Sequence, residues 1–387
     1  MGKMMVKYNL RGLFVILLTL IIVLLVNFDG VIHLINKSYI ITGGYNYMVS
    51  FFICLTLATM LFFYRRLGVE INIDRKLYTI ISVFVLLFTL MVVISLYNYC
   101  DYKKLFRDIF YLASFILFVV FFKTLNENKK DCNLFCDSFI FLNVIIIPII
   151  GVILGNFDHE GRFTGLQMAA SIFGVSMSLL FMLVFCRTYN IYYKLVLLSL
   201  CILYIFLSGT RIALLNVFFV LFFLGVKKLI KHKVLIKGLT VSFFGFIILF
   251  IIFYFDIFNL DIIDKFRMFT LNDGGSANTR FDWYYDLFLH LKSTLFIGGK
   301  GGGYSEFVIG NLPHFDLLRF WLDYSVVFII LFFILLFLVV SLFSQDILLL
   351  GLFSIGLFIL LSLHNMFQAP MLIFTYVFVL FEMRNEK

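Results

Sequence analysis

Residues 195–226 read LVLLSLCILYIFLSGTRIALLNVFFVLFFLGV. Two apolar runs are broken only by Ser208-Gly209-Thr210-Arg211, with Lys194 before them and Lys227 and Lys228 after. The apolar–polar alternation of a membrane β-barrel is absent. Apolar runs of this kind read as membrane-spanning helices, and a return to lysine-rich flanks reads as two crossings. As helix, the residues between Lys194 and Lys227 reach about 48 Å, whereas two crossings of a ~30 Å core need about 60 Å. The turn is therefore expected to sink below the membrane surface. Arg211 would then line a wet cavity or meet an anion; an arginine that snorkels to the interface is the other reading.

The rest of the chain repeats the pattern. Its 387 residues are 63% hydrophobic and 14% charged, far from the balance of a soluble domain. Spans are expected near 12–27, 48–63, 78–97, 109–122, 135–154, 166–186, 195–208, 211–226, 234–255, 319–343, 347–363 and 366–382. The expected fold is an all-α polytopic membrane protein of about 12 transmembrane helices. Residues 1–255 would hold spans one to nine, residues 256–318 a large loop, and residues 319–387 spans ten to twelve. No internal repeat of the transporter kind is visible.

The net charge of +9 comes from short basic clusters between apolar runs, as in orientation signals, and points to no nucleic-acid partner. One set of loops carries Lys3, Lys7 and Arg11; Arg65, Arg66, Arg75 and Lys76; Lys123, Lys129 and Lys130; Arg187 and Lys194; Lys227 to Lys237; and Arg384 and Lys387. That side reads as cytoplasmic, with both termini inside. Lys103, Lys104 and Arg107 form the dissenting cluster. The six cysteines imply neither a disulfide framework nor a zinc site.

The residues with chemical potential then gather on the outer face. They include Arg162 beside Asp158, Arg211, the 256–318 loop and His364. The glycines at 298–303 lack P-loop spacing around Lys300; they suit close backbone approach to a ligand or a flexible loop. Asn278-Thr279 could cap a helix starting near Arg280, with Phe281, Tyr284, Phe288, Leu291 and Leu295 on its apolar side. Pro313 and His314 would open span ten, where the helix dipole favours a neutral imidazole that can act as a base. Asp316 and Arg319 follow within two turns.

Gly161-Arg162-Phe163-Thr164-Gly165, Leu207-Ser208-Gly209-Thr210-Arg211, Asn278-Thr279-Arg280 with Trp283, Phe296-Ile297-Gly298 and His314 with Leu317-Leu318 occur in that order. Over roughly residues 155–345 the chain resembles the O-antigen polymerase and O-antigen ligase superfamily. It departs at Gln167-Met168-Ala169-Ala170, where the family often has Asn-Pro-Asn, and at Phe315, where it often has Asn.

The resemblance implies a membrane glycosyltransferase, of the all-helical GT-C-like type, in the bacterial inner membrane. Such enzymes transfer glycans from an undecaprenyl diphosphate carrier at the periplasmic face, a step in lipopolysaccharide or related polysaccharide biosynthesis. His314 would be the catalytic base, with His364 and Asp316 as secondary candidates. Arg211, Arg162, Arg280 and Arg319 would bind the diphosphate or glycan, a task that suits the guanidinium fork. The reaction is expected to need no metal or other cofactor. Partners would be undecaprenyl-diphosphate-linked glycans, membrane lipid and a chain-length regulator protein. A ligase acting on lipid A core and a polysaccharide flippase are the alternatives.

The orientation is testable. A cysteine at Ser276, in a background lacking the native six, should react with an impermeant maleimide in intact spheroplasts. Labelling only after lysis would reverse the arrangement.

Overall fold

The computed structural model describes residues 2–27, 46–66, 74–158, 161–167, 169–231, 276–310, 315–344, 347–362 and 366–383. Among these the chain is helical, with one isolated antiparallel bridge between Phe157 and Phe163. The helices are α1 (Gly2–Val26), α2 (Asn46–Arg66), α3 (Arg75–Tyr97), α4 (Tyr102–Asn126) and α5 (Lys129–Ile153). Next come α6 (Ala170–Cys186), α7 (Ile191–Leu207), α8 (Arg211–Lys231) and α9 (Ser276–Ser293). The last five are α10 (Tyr304–Ile309), α11 (Asp316–Tyr324), α12 (Val326–Phe343), α13 (Ile347–Ser362) and α14 (Pro370–Glu382).

Of the described helices α3, α4, α5 and α12 are long and apolar enough to cross a membrane, and seven shorter apolar stretches accompany them. The expected span at 234–255 lies outside the described residues. The centre of the bundle is α14, buried along its whole length against α4 and α6. Lipid tails are as apolar as these side chains, so close packing rather than water exclusion holds such helices together. Phenylalanine supplies it here: Phe374 lies 4.8 Å from Phe118 and 4.7 Å from Phe139, and Phe378 lies 4.9 Å from Phe122. Pro370 opens α14 within its first turn, where a missing N–H costs nothing, so this span starts later than expected.

Three expectations need correction. First, the 195–226 hairpin is longer than its lysine flanks suggest. Its helices start at Ile191 and run to Lys231, 17 and 21 residues long. They cover about 26 and 32 Å against a ~30 Å core, so most of the expected shortfall is removed and what is left lies in α7. Lys194 lies inside α7, its Nζ donating to the Arg187 carbonyl at 3.0 Å at the end of α6.

Second, the helix near Arg280 begins at Ser276, which places Asn278 and Thr279 inside it rather than at its cap. Its buried face is Leu287 and Leu291, packed on Leu322, while Leu295 is 82% exposed.

Third, the run 319–343 is two helices, α11 and α12, parted at Ser325 with φ +94°. In an unbroken helix the Leu322 and Asp323 carbonyls would accept from residues 326 and 327. Here they accept from Lys300 N at 2.9 Å and Gly301 N at 2.8 Å, and Val326 N donates instead to the Ile297 carbonyl at 2.9 Å. The glycine run takes over the helical ladder at the break.

The glycines serve close backbone packing. They let this strap pass between α11 and the loop joining α3 to α4. Tyr99 N donates to the Lys300 carbonyl and Asp101 N to that of Gly302, both at 3.0 Å. Gly301 has φ +105°, and a Cβ there would collide with the Tyr99 carbonyl. Gly310 has φ +73° and open space around it. Gly310→Ala should cost about 1–2 kcal/mol of left-handed strain alone. Gly301→Ala should cost about 3 kcal/mol or more, because backbone must also move. Thermal unfolding in detergent measures both; equal losses would deny the strap its packing role.

Candidate functional site

The ends of the bundle are distinguishable by their ion pairs. Arg187, just after α6, meets Glu382, the last residue of α14, at 3.0 Å, so these helices run parallel. Lys123 pairs with Asp74 at 2.9 Å, and Lys76 reaches the Ser341 carbonyl at 2.8 Å, joining α3, α4 and α12 at this same end. At the opposite end lie the turns at 154–169 and 208–210, the α3–α4 loop, α9 to α11 and the turn before α14. The sequence expected its chemically capable residues on one face, and the described ones do share an end.

At that end six charges alternate in a chain. Lys104 Nζ lies 3.4 Å from Glu306, and Glu306 accepts from Arg107 at 2.5 Å. Arg107 Nε donates to Asp108 at 3.1 Å. Arg319 Nη1 donates to both oxygens of Asp108, at 2.9 and 2.8 Å, and its Nη2 reaches Asp316 at 3.2 Å. The far oxygen of Asp316 accepts from Phe367 N at 3.0 Å. Tyr324 donates to Asp108 at 2.9 Å, and Arg319 stacks on Phe320 with 4.3 Å to the ring centre.

Asp108, Asp316 and Arg319 are buried, and the chain surfaces only at Lys104. The sequence left the basic cluster at 103–107 as a dissent from the charge rule; in the fold Glu306 pairs with two of its members, Lys104 and Arg107. Asp323 binds the start of α10 through Gly303 N, Ser305 N and the Ser305 hydroxyl. Burial pushes the Asp323 carboxyl up to about 7, against the pull of Arg319 and the Ser305 N–H.

A second polar unit joins two sequence motifs. Phe163 N donates to the Leu207 carbonyl at 3.0 Å, which ties the 161–165 turn to the end of α7. The Arg162 side chain crosses Gly209, whose φ is +61°, and its Nε donates to Asp158 at 2.8 Å. Ser208 and Thr210 are occupied structurally: Ser208 Oγ caps the Ile205 carbonyl, and Thr210 Oγ1 donates to the Ala170 carbonyl. Gly174 on α6 leaves the space that both hydroxyls fill. Arg211 follows as the first residue of α8, half-buried. Gln167 anchors the turn by donating to Asn27, which donates to Asn143 at 3.1 Å. Asn143 sits in a π-helical turn of α5, Leu142–Ile146, a widening seen often at functional sites.

Arg162 and Arg211 are thus brought onto joined turns. Arg319 and Asp316 are together but buried, with each other and Asp108 as partners. That burial leaves Arg319 a scaffold ion rather than a surface for a lipid diphosphate. Arg280 is on α9, its side chain outside the described residues. His314 and His364 also lie outside them. Sequence reasoning missed Asp108, Glu306 and Asp323. The available signal was the adjacent charge pair Arg107-Asp108 at the start of an otherwise apolar run.

No family model, no curated protein and no solved structure matches this chain.

Arg319→Met should cost about 3–5 kcal/mol, since it strands two buried carboxylates. Lys104→Met, at the exposed tip, should cost at most about 1 kcal/mol. Exchanging the charges of Arg107 and Glu306 together should recover part of the loss from either reversal alone. Thermal unfolding of the purified variants reads all of these.

Proposed function

We propose that the chain polymerises undecaprenyl-diphosphate-linked oligosaccharide repeat units at the periplasmic face of the bacterial inner membrane. In this reading it is a twelve-span glycosyltransferase with both termini cytoplasmic, and it contributes to O-antigen or a related surface polysaccharide. The observation that carries the reading is the junction of the 161–165 turn with the 208–211 turn through Phe163 N and the Leu207 carbonyl. It puts Arg162 and Arg211 on neighbouring turns at the same end as α9 to α11.

A lipid diphosphate leaving group needs fixed cations, and guanidinium forks bind its oxygens in pairs. The acceptor hydroxyl attacks the anomeric carbon of the growing chain. The bond from that carbon to the diphosphate oxygen breaks, and undecaprenyl diphosphate departs with the bonding electrons. The hydroxyl proton passes to His314. His314 stands two residues before Asp316, and His364 three before Phe367. The 3.0 Å bond from Phe367 N to Asp316 joins described residues near both in the sequence.

Reconstituted with lipid-linked repeat units, His314→Ala should lose about 10²–10⁴ in rate while still binding substrate. Arg211→Lys keeps charge but loses the fork, so long chains should fail to form. If both variants polymerise within about threefold of the parent, the assignment of base and diphosphate clamp is wrong.

A further inference from the structure

A cluster of rings at the polar end takes no part in the ion chain or in the arginine turns. Tyr99 lies 5.4 Å from Phe307, tilted by 33°, and 6.0 Å from Tyr304, edge-on at 71°. Tyr304 and Phe307 are 6.3 Å apart. The His290 ring meets Tyr304 edge-on at 5.9 Å, its Nδ1 3.5 Å from the tyrosine hydroxyl. Phe307 is 65% exposed, while Tyr99, Tyr304 and His290 are half-buried.

We propose that Tyr99, Tyr304 and Phe307 form a glycan-binding platform that takes pyranose rings of the saccharide chain being extended. The proposal rests on the polymerase reading for the identity of that chain. A pyranose presents a C–H face and a rim of hydroxyls. Aromatic faces suit the first, and the second needs donors and acceptors close by. The tyrosine hydroxyls and the His290 ring lie within the cluster, and Asp101 and Lys300 belong to the backbone segments that carry it.

The surroundings favour water over hydrocarbon at this place. Phe307 follows Glu306, which is ion-paired to Lys104 and Arg107, and Lys104 is itself 28% exposed. A partly exposed ammonium beside the ring would be costly in lipid. The rings are also held before any ligand arrives. Tyr99 N is bonded to the Lys300 carbonyl, Asp101 N to that of Gly302, and Gly302 N to Ser95 Oγ at 2.9 Å. Rigid aromatic anchors lose little freedom on binding, which suits repeated weak capture of a moving polymer.

The test uses the full chain in lipid nanodiscs. The probe is repeat-unit oligosaccharide released by mild acid from the lipid-linked intermediates of the same cells. Phe307→Ala should weaken its binding about tenfold, as truncating one aromatic anchor does, and should shorten the polymer made. Phe307→Trp should restore both. Should Phe307→Ala and Tyr99→Ala bind within about twofold of the parent, the platform does not exist. The platform is equally ruled out if Phe307→Ala only lowers yield in membranes, since the ring is then an interfacial anchor. A parent that binds the oligosaccharide but elongates nothing would sink the polymerase reading and leave the platform standing. A parent that elongates normally, with binding untouched by Phe307→Ala, would sink the platform alone.

Discussion

Arg319 between Asp108 and Asp316 is the constraint on which the polar end depends. Its guanidinium donates to carboxylates on two elements, and one of these carboxylates takes the Phe367 N–H of a third. Three segments far apart in sequence thus share one buried cation. Ions this deep gain little net energy over a well-packed apolar core, because desolvation offsets most of the attraction. What they provide is uniqueness, since any shift of α11 along α4 would strand a charge. The register of α11 against α4, and of Phe367 before α14, follows from that exclusion.

The glycine strap is the second constraint, and it works through backbone alone. Lys300 and Gly301 supply the N–H groups that the Leu322 and Asp323 carbonyls would otherwise find within a helix. The break at Ser325 therefore leaves these carbonyls satisfied, and α11 can turn away from the direction of α12. Without that turn Asp316 and Arg319 would continue the axis of a spanning helix rather than meet α4. Side chains are minor here, which is why glycine recurs at 298–303.

Helix composition was legible in the sequence because apolar runs of this length have few other solutions. The grouping of polar turns at one end was also legible, from the lysine and arginine pattern. Interruptions were not. Nothing in the apolar string around Ser325 announces a break, because its cause lies in carbonyl partners contributed by residues 297–301. The hairpin of α7 and α8 misled for a related reason: lysines were taken as helix limits, yet Lys194 lies within α7 and bonds the end of α6. Arg319 was read by its chemistry as an anion binder. Only tertiary neighbours, Asp108 above all, could reveal that its charge is already answered.

Asp108 and Arg319 stand 211 residues apart in the chain. At a synthesis rate of about 5–20 residues per second, the carboxylate waits on the order of 10–40 s for its partner to emerge. Arg107, its immediate neighbour, is the natural companion through that interval, and it keeps the contact afterwards at 3.1 Å. An adjacent arginine–aspartate pair at the head of a greasy segment then serves as a placeholder during insertion. The polar end closes only when the last third of the protein has been made.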